Sequence, residues 1–393
     1  MTMSRRTFLA AAAVTVAAKR LNAAKPGRAA TLPLVYIGST THKPDDGIHV
    51  ASFDASTGAL SELRIAANVI SPGFLAIGKR AGAHCLYAGH AAAEGSHDGV
   101  LSAYRIESNG DLVPINSINV PAFDFVHTVL GQTARCIISA SYGTGKVLSA
   151  KLAADGRISD PVSQFQLTGH GPIESRQKSP HAHGVAVSPD NRFVLINDLG
   201  TDRIMIYKLN VSTAELKPSE PPFFQMPAGS GPRHLAFHPN GKWAYSVNEL
   251  NSTLSFLHWN AVAGTLSLIA DTPTLPAGGD IATNRAGEVV ISPDGKFLYS
   301  CDRGGLGNGK EGGVDDVLAY SIASDGKLTL VTRLPLEGKE ARHFTLSPDG
   351  GWLLVARQFS NDVTIYARNA KTGEIQPSSA HFPIDNASCV LFA

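Results

Sequence analysis

"GSGPRHLAFHPNGKWAYSVNEL", residues 229–250, reads as one hairpin with unusual ends. An apolar run at 235–237 enters the turn His238-Pro239-Asn240-Gly241, and a second run at 243–247 leaves it. Pro fixes φ, Asn bonds locally and Gly accepts positive φ, so the middle of the stretch is turn chemistry between two strands. The ends are polar: Arg233 and His234 precede the first run, and Asn248 and Glu249 close the second.

The same turn recurs as "SPDN" at Ser188 and "SPDG" at Ser292 and Ser347, each time between apolar runs. A third, alternating run follows in every copy ("RIMIYKL", "TLSFLHW", "VLAYSI", "VTIYARN"), then a small turn and a weaker fourth segment. Copies recur about every 50 to 57 residues, the length of a four-stranded propeller blade. Weaker copies lie upstream, one with its turn degraded to "GQTA". The first copy begins at its second strand, "LVYIGST", and the C-terminal "ASCVLFA" is a spare strand that would complete it. The expectation is an all-β chain: a seven-bladed β-propeller of four-stranded blades, its ring closed by the C-terminal strand.

Composition sets the limits. With 393 residues, 43% hydrophobic, the chain can bury a large core, and 38 Gly with 23 Pro fit many turns. A net charge of +1 without long charged runs argues against a nucleic-acid partner. Cys85, Cys136, Cys301 and Cys389 form no CxxC pair, which points to buried free thiols. The start, "MSRRTFLAAAAVTVAA", pairs Arg5 and Arg6 with a short apolar run, the pattern of a twin-arginine export leader. The apolar run is too short for stable membrane insertion. The expected division is a leader at 1–24, a linker at 25–33 and the propeller at 34–393. Such a chain meets the twin-arginine export machinery and ends in the periplasm or is secreted; without a working leader it stays cytoplasmic.

In a propeller the innermost strand and its neighbour run antiparallel, so the start of strand one and the end of strand two meet at one face, by the central channel. Features shared by all blades belong to the scaffold; features that differ at this rim are candidates for function. The strand-two ends are Ser39-Thr40, His90-Ala91, Ser141-Tyr142, Asp198-Leu199, Asn248-Glu249, Asp302-Arg303 and Arg357-Gln358. The strand-one starts supply His127, His181, His183, Arg233, His234, Glu288, Arg342 and His343. Guanidinium forks suit a carboxylate or phosphate, and neutral His suits proton transfer near pH 7. His181 and His183, two apart, would face the same side and could hold a metal only with a third ligand that no fixed spacing supplies. "SRQK" at 175–178 matches SxxK without its companion motifs, and neither GxSxG nor HExxH occurs.

From "GPIESRQKSPHAHGVAVSPDNRFVLINDLGTDRIMIY" through "GSGPRHLAFHPNGKWAYSVNEL", "GEVVISPDGKFLYSCDRG" and "ARHFTLSPDGGWLLVARQ", the chain resembles the seven-bladed propeller lactonases. Their best-known members are the bacterial 6-phosphogluconolactonases, and fungal carboxy-cis,cis-muconate lactonizing enzymes are similar. The resemblance covers residues 34–392. It implies lactone hydrolysis without metal or cofactor, with a small lactone or anionic sugar acid as partner. It implicates His183 (or His181), Arg233, Glu249 and Arg303 in catalysis. His181, Asp198, His234, Glu288, Arg342 and His343 are expected to bind substrate. A muconate-type cycloisomerase and a non-catalytic binding propeller of the cell envelope are the alternatives. Two departures stand out: "CDRG" where "SNRG" is usual, and the insert "GLGNGKEGGVDD" after it.

Overall fold

The computed structural model describes residues 32–41, 47–304, 313–377 and 380–393. The leader expected at 1–24 and most of the "GLGNGKEGGVDD" insert lie outside these residues.

The strands form seven antiparallel sheets, each four strands deep from channel to rim. In the fifth the order outward is Pro232–Phe237, Trp243–Asn248, Thr253–Asn260 and Thr265–Pro273. In the first and seventh, the outermost strand is split into two short pieces on the same neighbour. The C-terminal strand Ala387–Phe392 lies innermost in the first blade, antiparallel to Leu34–Ser39, with Val35 opposite Phe392. Each innermost strand touches the next around the whole ring, including the C-terminal strand against those of blades 7 and 2. Closure leaves no blade without two neighbours, the feature an open solenoid lacks, and each sheet keeps only its short outer edge.

The core is segmented in the same way. Seven apolar clusters form, each joining residues of two adjacent blades. One unites Leu195 and Ile206 of blade 4 with Ala244, Leu257 and Trp259 of blade 5. A buried Leu or Ile of this kind contributes about 1.5–3 kcal/mol, so the blades are held face to face. All four cysteines are free and buried in this packing.

The shared turn is a local knot. Ser188 Oγ donates to Asp190 (2.6 Å) and accepts from the Phe193 amide (2.9 Å). Ser292 and Asp294 repeat the first bond at 2.6 Å. The last position is left-handed in each copy, at Asn191, Gly241, Gly295 and Gly350. In the degraded "GQTA" copy, Ala134 takes it at φ 50°. Repetition in blades 3 to 7 marks this end of the hairpin as scaffold.

The opposite end is irregular. The pairing of strands one and two shifts register near the mouth in every blade but the second. The extra residue falls at His183, Arg233 and Arg342 in blades 4, 5 and 7. A bulge re-aims one side chain and breaks the period-two alternation. It thereby sets two successive residues of each inner strand at two levels of the channel.

Candidate active site

Two of these bulge residues, His183 and Arg342, reach a well of about 200 Å³ in the mouth. Its wall holds Asp124, Val126 and Tyr142 of blade 3, Arg176 from the following loop, and His183 of blade 4. Blades 5 to 7 add Glu249, Arg285, Arg303 and Arg342. The strand-two residues Tyr142, Glu249 and Arg303 occupy equivalent places in their blades, one step past the residue that faces into the sheet.

Glu249 is the hub. Its carboxylate, 3% exposed, accepts from Arg176 Nη2 (2.6 Å) and Arg303 Nη2 (2.8 Å). Arg233 Nε lies 3.3 Å away. Burial alone would raise this carboxyl, but Arg303, Arg176 and Arg233 outweigh it and hold it well below the usual carboxylate range. Arg303 also spans to Glu340 Oε1 at 2.5 Å. Two guanidiniums remain uncommitted: Arg285 Nε has no hydrogen-bond partner among the described residues, and the carboxylate paired with Arg342 is 3.9 Å away, on Glu340.

His183 stands beside this hub, 3% exposed, with Nε2 3.8 Å from Glu249 Oε2 and Nδ1 without a partner among the described residues. Burial, then the charges of Arg233, His234, Arg342 and Arg303, push its imidazole well below 6.5. It is therefore neutral at pH 7 with a lone pair to use. Asp124 reaches water at the mouth, yet burial by the walls raises its carboxyl against the pull of Arg342 and His181.

The residues expected at this rim fall into three groups. His183, Glu249, Arg303 and Arg342 line the well. Arg233 lies behind it, 2% exposed, bonding Gly287 O at 2.8 Å and backing Glu249. His181 stacks on Tyr142 with ring centroids 4.2 Å apart, outside the wall that His183 forms. The remaining four also stand off the wall of the well. Asp198 faces its own blade, accepting from Thr201 and from the amides of His181 and Gly200. His234, Glu288 and His343 form a lower layer of the channel with His127 and Phe74. Glu288 bonds His234 Nδ1 at 2.9 Å, His234 stacks on His127 at 4.3 Å, and Phe74 meets His343 at 5.1 Å. The bulge is the reason: it lifts Arg233 and Arg342 to the mouth and leaves the next residue one level down.

Sequence reading passed over Arg176, Arg285 and Asp124. Arg176 sits inside "SRQK", on the short helix Glu174–Gln177 that connects blades 3 and 4. Arg285 faces Arg303 across the strand pair. Among the described residues, no three His, Cys, Asp or Glu side chains converge in a metal-holding group.

The family model for "Lactonase, 7-bladed beta-propeller" matches residues 34–392. The chain is 30% identical to the 6-phosphogluconolactonase of Formosa agariphila, covering 90% of this chain and 98% of that one. It is 29% identical to the 6-phosphogluconolactonase of Bacillus subtilis, covering 91% and 97%. Among solved structures, a putative 6-phosphogluconolactonase of Bacteroides fragilis superposes with a TM-score of 0.82 at 27% identity, over 94% of this chain and 100% of that one. A periplasmic gluconolactonase of Pseudomonas aeruginosa superposes with a TM-score of 0.81 at 26% identity, over 92% and 98%.

Proposed function

The chain belongs to the seven-bladed β-propeller lactonase family and is a lactonase-type hydrolase, and from that premise we propose that it opens a sugar lactone by metal-independent attack of water, with His183 as the proton carrier. The observation behind this reading is the neutral, buried His183 beside a carboxylate that is already saturated by arginines. A carboxylate held so far below its usual range is a weak base. Glu249 therefore acts as the counter-ion that fixes Arg176, Arg233 and Arg303 in place.

The chemistry balances around one histidine. Water attacks the lactone carbonyl carbon and His183 takes its proton. The oxyanion of the tetrahedral intermediate is stabilised by the fixed guanidiniums at the wall. The intermediate collapses, the ring C–O bond breaks, and the leaving alkoxide takes the proton back from the His183 imidazolium. Arg285 and Arg342, uncommitted in the structure, match the carboxylate that the product gains.

The reading extends to location. Arg5-Arg6 with its apolar run supports twin-arginine export, and the periplasmic gluconolactonase among the structural relatives is compatible with it. The test of function is acid release from D-glucono-1,5-lactone and its 6-phosphate, with chelator present. Rates no faster than spontaneous opening on both substrates sink the proposal. Replacing Arg5 and Arg6 by Lys and fractionating the cells tests export; unchanged periplasmic recovery counts against it.

A further inference from the structure

The well does not end at its own wall. Asp124, Val126 and Arg342 also border a groove of about 510 Å³ that runs over blades 1, 2, 3 and 7. At ~30 Å³ per water, the 200 Å³ well holds about seven waters' worth of volume, the scale of one sugar ring. The groove offers more than twice that space, and together the two reach the range of a pocket for a larger ligand, ~300–1,000 Å³.

The groove has a different chemistry from the well. Four of the five arginines around Glu249 lie on the blade 4 to 6 side, counting the loop that leads into blade 4. Among the described residues of the groove, Arg342 at the shared border is the one Lys or Arg. The rest of the lining mixes one carboxylate, Asp124, and apolar side chains such as Phe123, Phe125 and Val126 with neutral polar groups, Gln358 bonded to Thr40 at 2.6 Å among them. Phe123 meets His97 edge-on, with centroids 4.8 Å apart, beside Asp124. The bare Cα of Gly143 lets the Phe123 ring pack close: a Cβ there would come within 2.6 Å of it. An anchored aromatic face next to amide and hydroxyl groups suits a neutral sugar, whose C–H face stacks while its hydroxyls bond. A phosphate would find no Lys or Arg beyond Arg342 among the described residues of the groove.

We propose that the groove is a subsite for a neutral glycosyl substituent, so that the substrate is the lactone of a disaccharide-derived aldonic acid. The inference rests on the lactonase reading of the well. The glycosyl group lies over blades 1 to 3, and the lactone ring enters the well past Asp124 and Arg342.

The test compares kcat/KM of the full chain for D-glucono-1,5-lactone, its 6-phosphate, and the lactones of cellobionic and melibionic acids, linked through O4 and O6. Binding energy remote from the reacting bond, present before and during reaction, lowers KM. At least one disaccharide lactone should exceed gluconolactone by about tenfold in kcat/KM, mostly through KM, as an aromatic contact plus hydrogen bonds supplies. Phe123→Ala should bring that ratio towards one. His97→Ala, an exposed change that spares the fold, should lower it as well. Hydrolysis of gluconolactone without preference for either disaccharide overturns the groove assignment alone, and so does a preference for the 6-phosphate over both. Failure to hydrolyse any of the four overturns the lactonase reading, and this inference with it.

Discussion

Replacing His183 by Gln separates chemistry from stability better than any other change at the site. The imidazole makes no hydrogen bond through Nδ1, and its Nε2 stands 3.8 Å from Glu249, outside hydrogen-bond range. Its neighbours are edge-on rings, Tyr142 at 5.5 Å and His234 at 5.2 Å. A side chain of similar volume costs about 1 kcal/mol or less in such a place. A proton carrier, by contrast, is worth about 10²–10⁴-fold in rate, or about 2.7–5.4 kcal/mol of barrier. The pH profile adds a second readout. His183 is held well below 6.5, so its base form persists at neutral pH and is lost only as pH falls through that lowered value. Wild-type kcat/KM is then flat from pH 6.5 to 7.5 and falls in acid, while His183→Gln is slow and lacks this acid limb. The assay is acid release corrected for spontaneous opening, alongside urea unfolding of both proteins. A folded variant keeping more than a tenth of the activity, or keeping the acid limb, refutes the role given to His183.

Three further outcomes follow from the same geometry. Glu249→Gln leaves Arg176, Arg233 and Arg303 without their shared counter-charge, and urea midpoints should report a loss of about 3–5 kcal/mol. Deleting residues 387–393 removes the inner strand of blade 1, and the sharp cooperative transition should broaden or vanish. Asp302, raised to about 7 by burial and by Asp316, contributes stability that is fully present below ~3.9 and lost as pH rises through 7. Asp302→Asn should therefore flatten the stability profile between pH 4 and 8 and exceed the wild type at pH 8, as thermal melts across that range would show.

Much of this molecule is legible in its sequence because a propeller repeats. The "SPDG" turns fix the hairpins, their spacing fixes the blades, and the half-copy at "LVYIGST" requires the strand that "ASCVLFA" supplies. Comparing blades also isolates His183, Glu249 and Arg303, because period two places the second residue of each strand-two end at the channel mouth. The same rule misleads at strand one. Alternation holds His181 with His183 and makes His234, Glu288 and His343 mouth residues, but the bulge inserts one residue and drops the latter three a level. Bulges leave no strong mark in a short run such as "PRHLAF". Arg176 was hidden for a different reason: it lies on the connection between two blades and not on a repeated strand, so the strand pattern does not point to it. Arg285 precedes the regular part of its strand, where Gly287 interrupts the alternation.

Under this proposal the mouth opens lactones with its own residues. The direct measurement is acid release from D-glucono-1,5-lactone at pH 6.5 by the full chain, in chelator, against His183→Gln at equal concentration. The expected result is a saturable rate above spontaneous opening, insensitive to chelator and reduced at least a hundredfold in the variant. A wild-type rate equal to that of buffer, or an equal rate in wild type and variant, would contradict it.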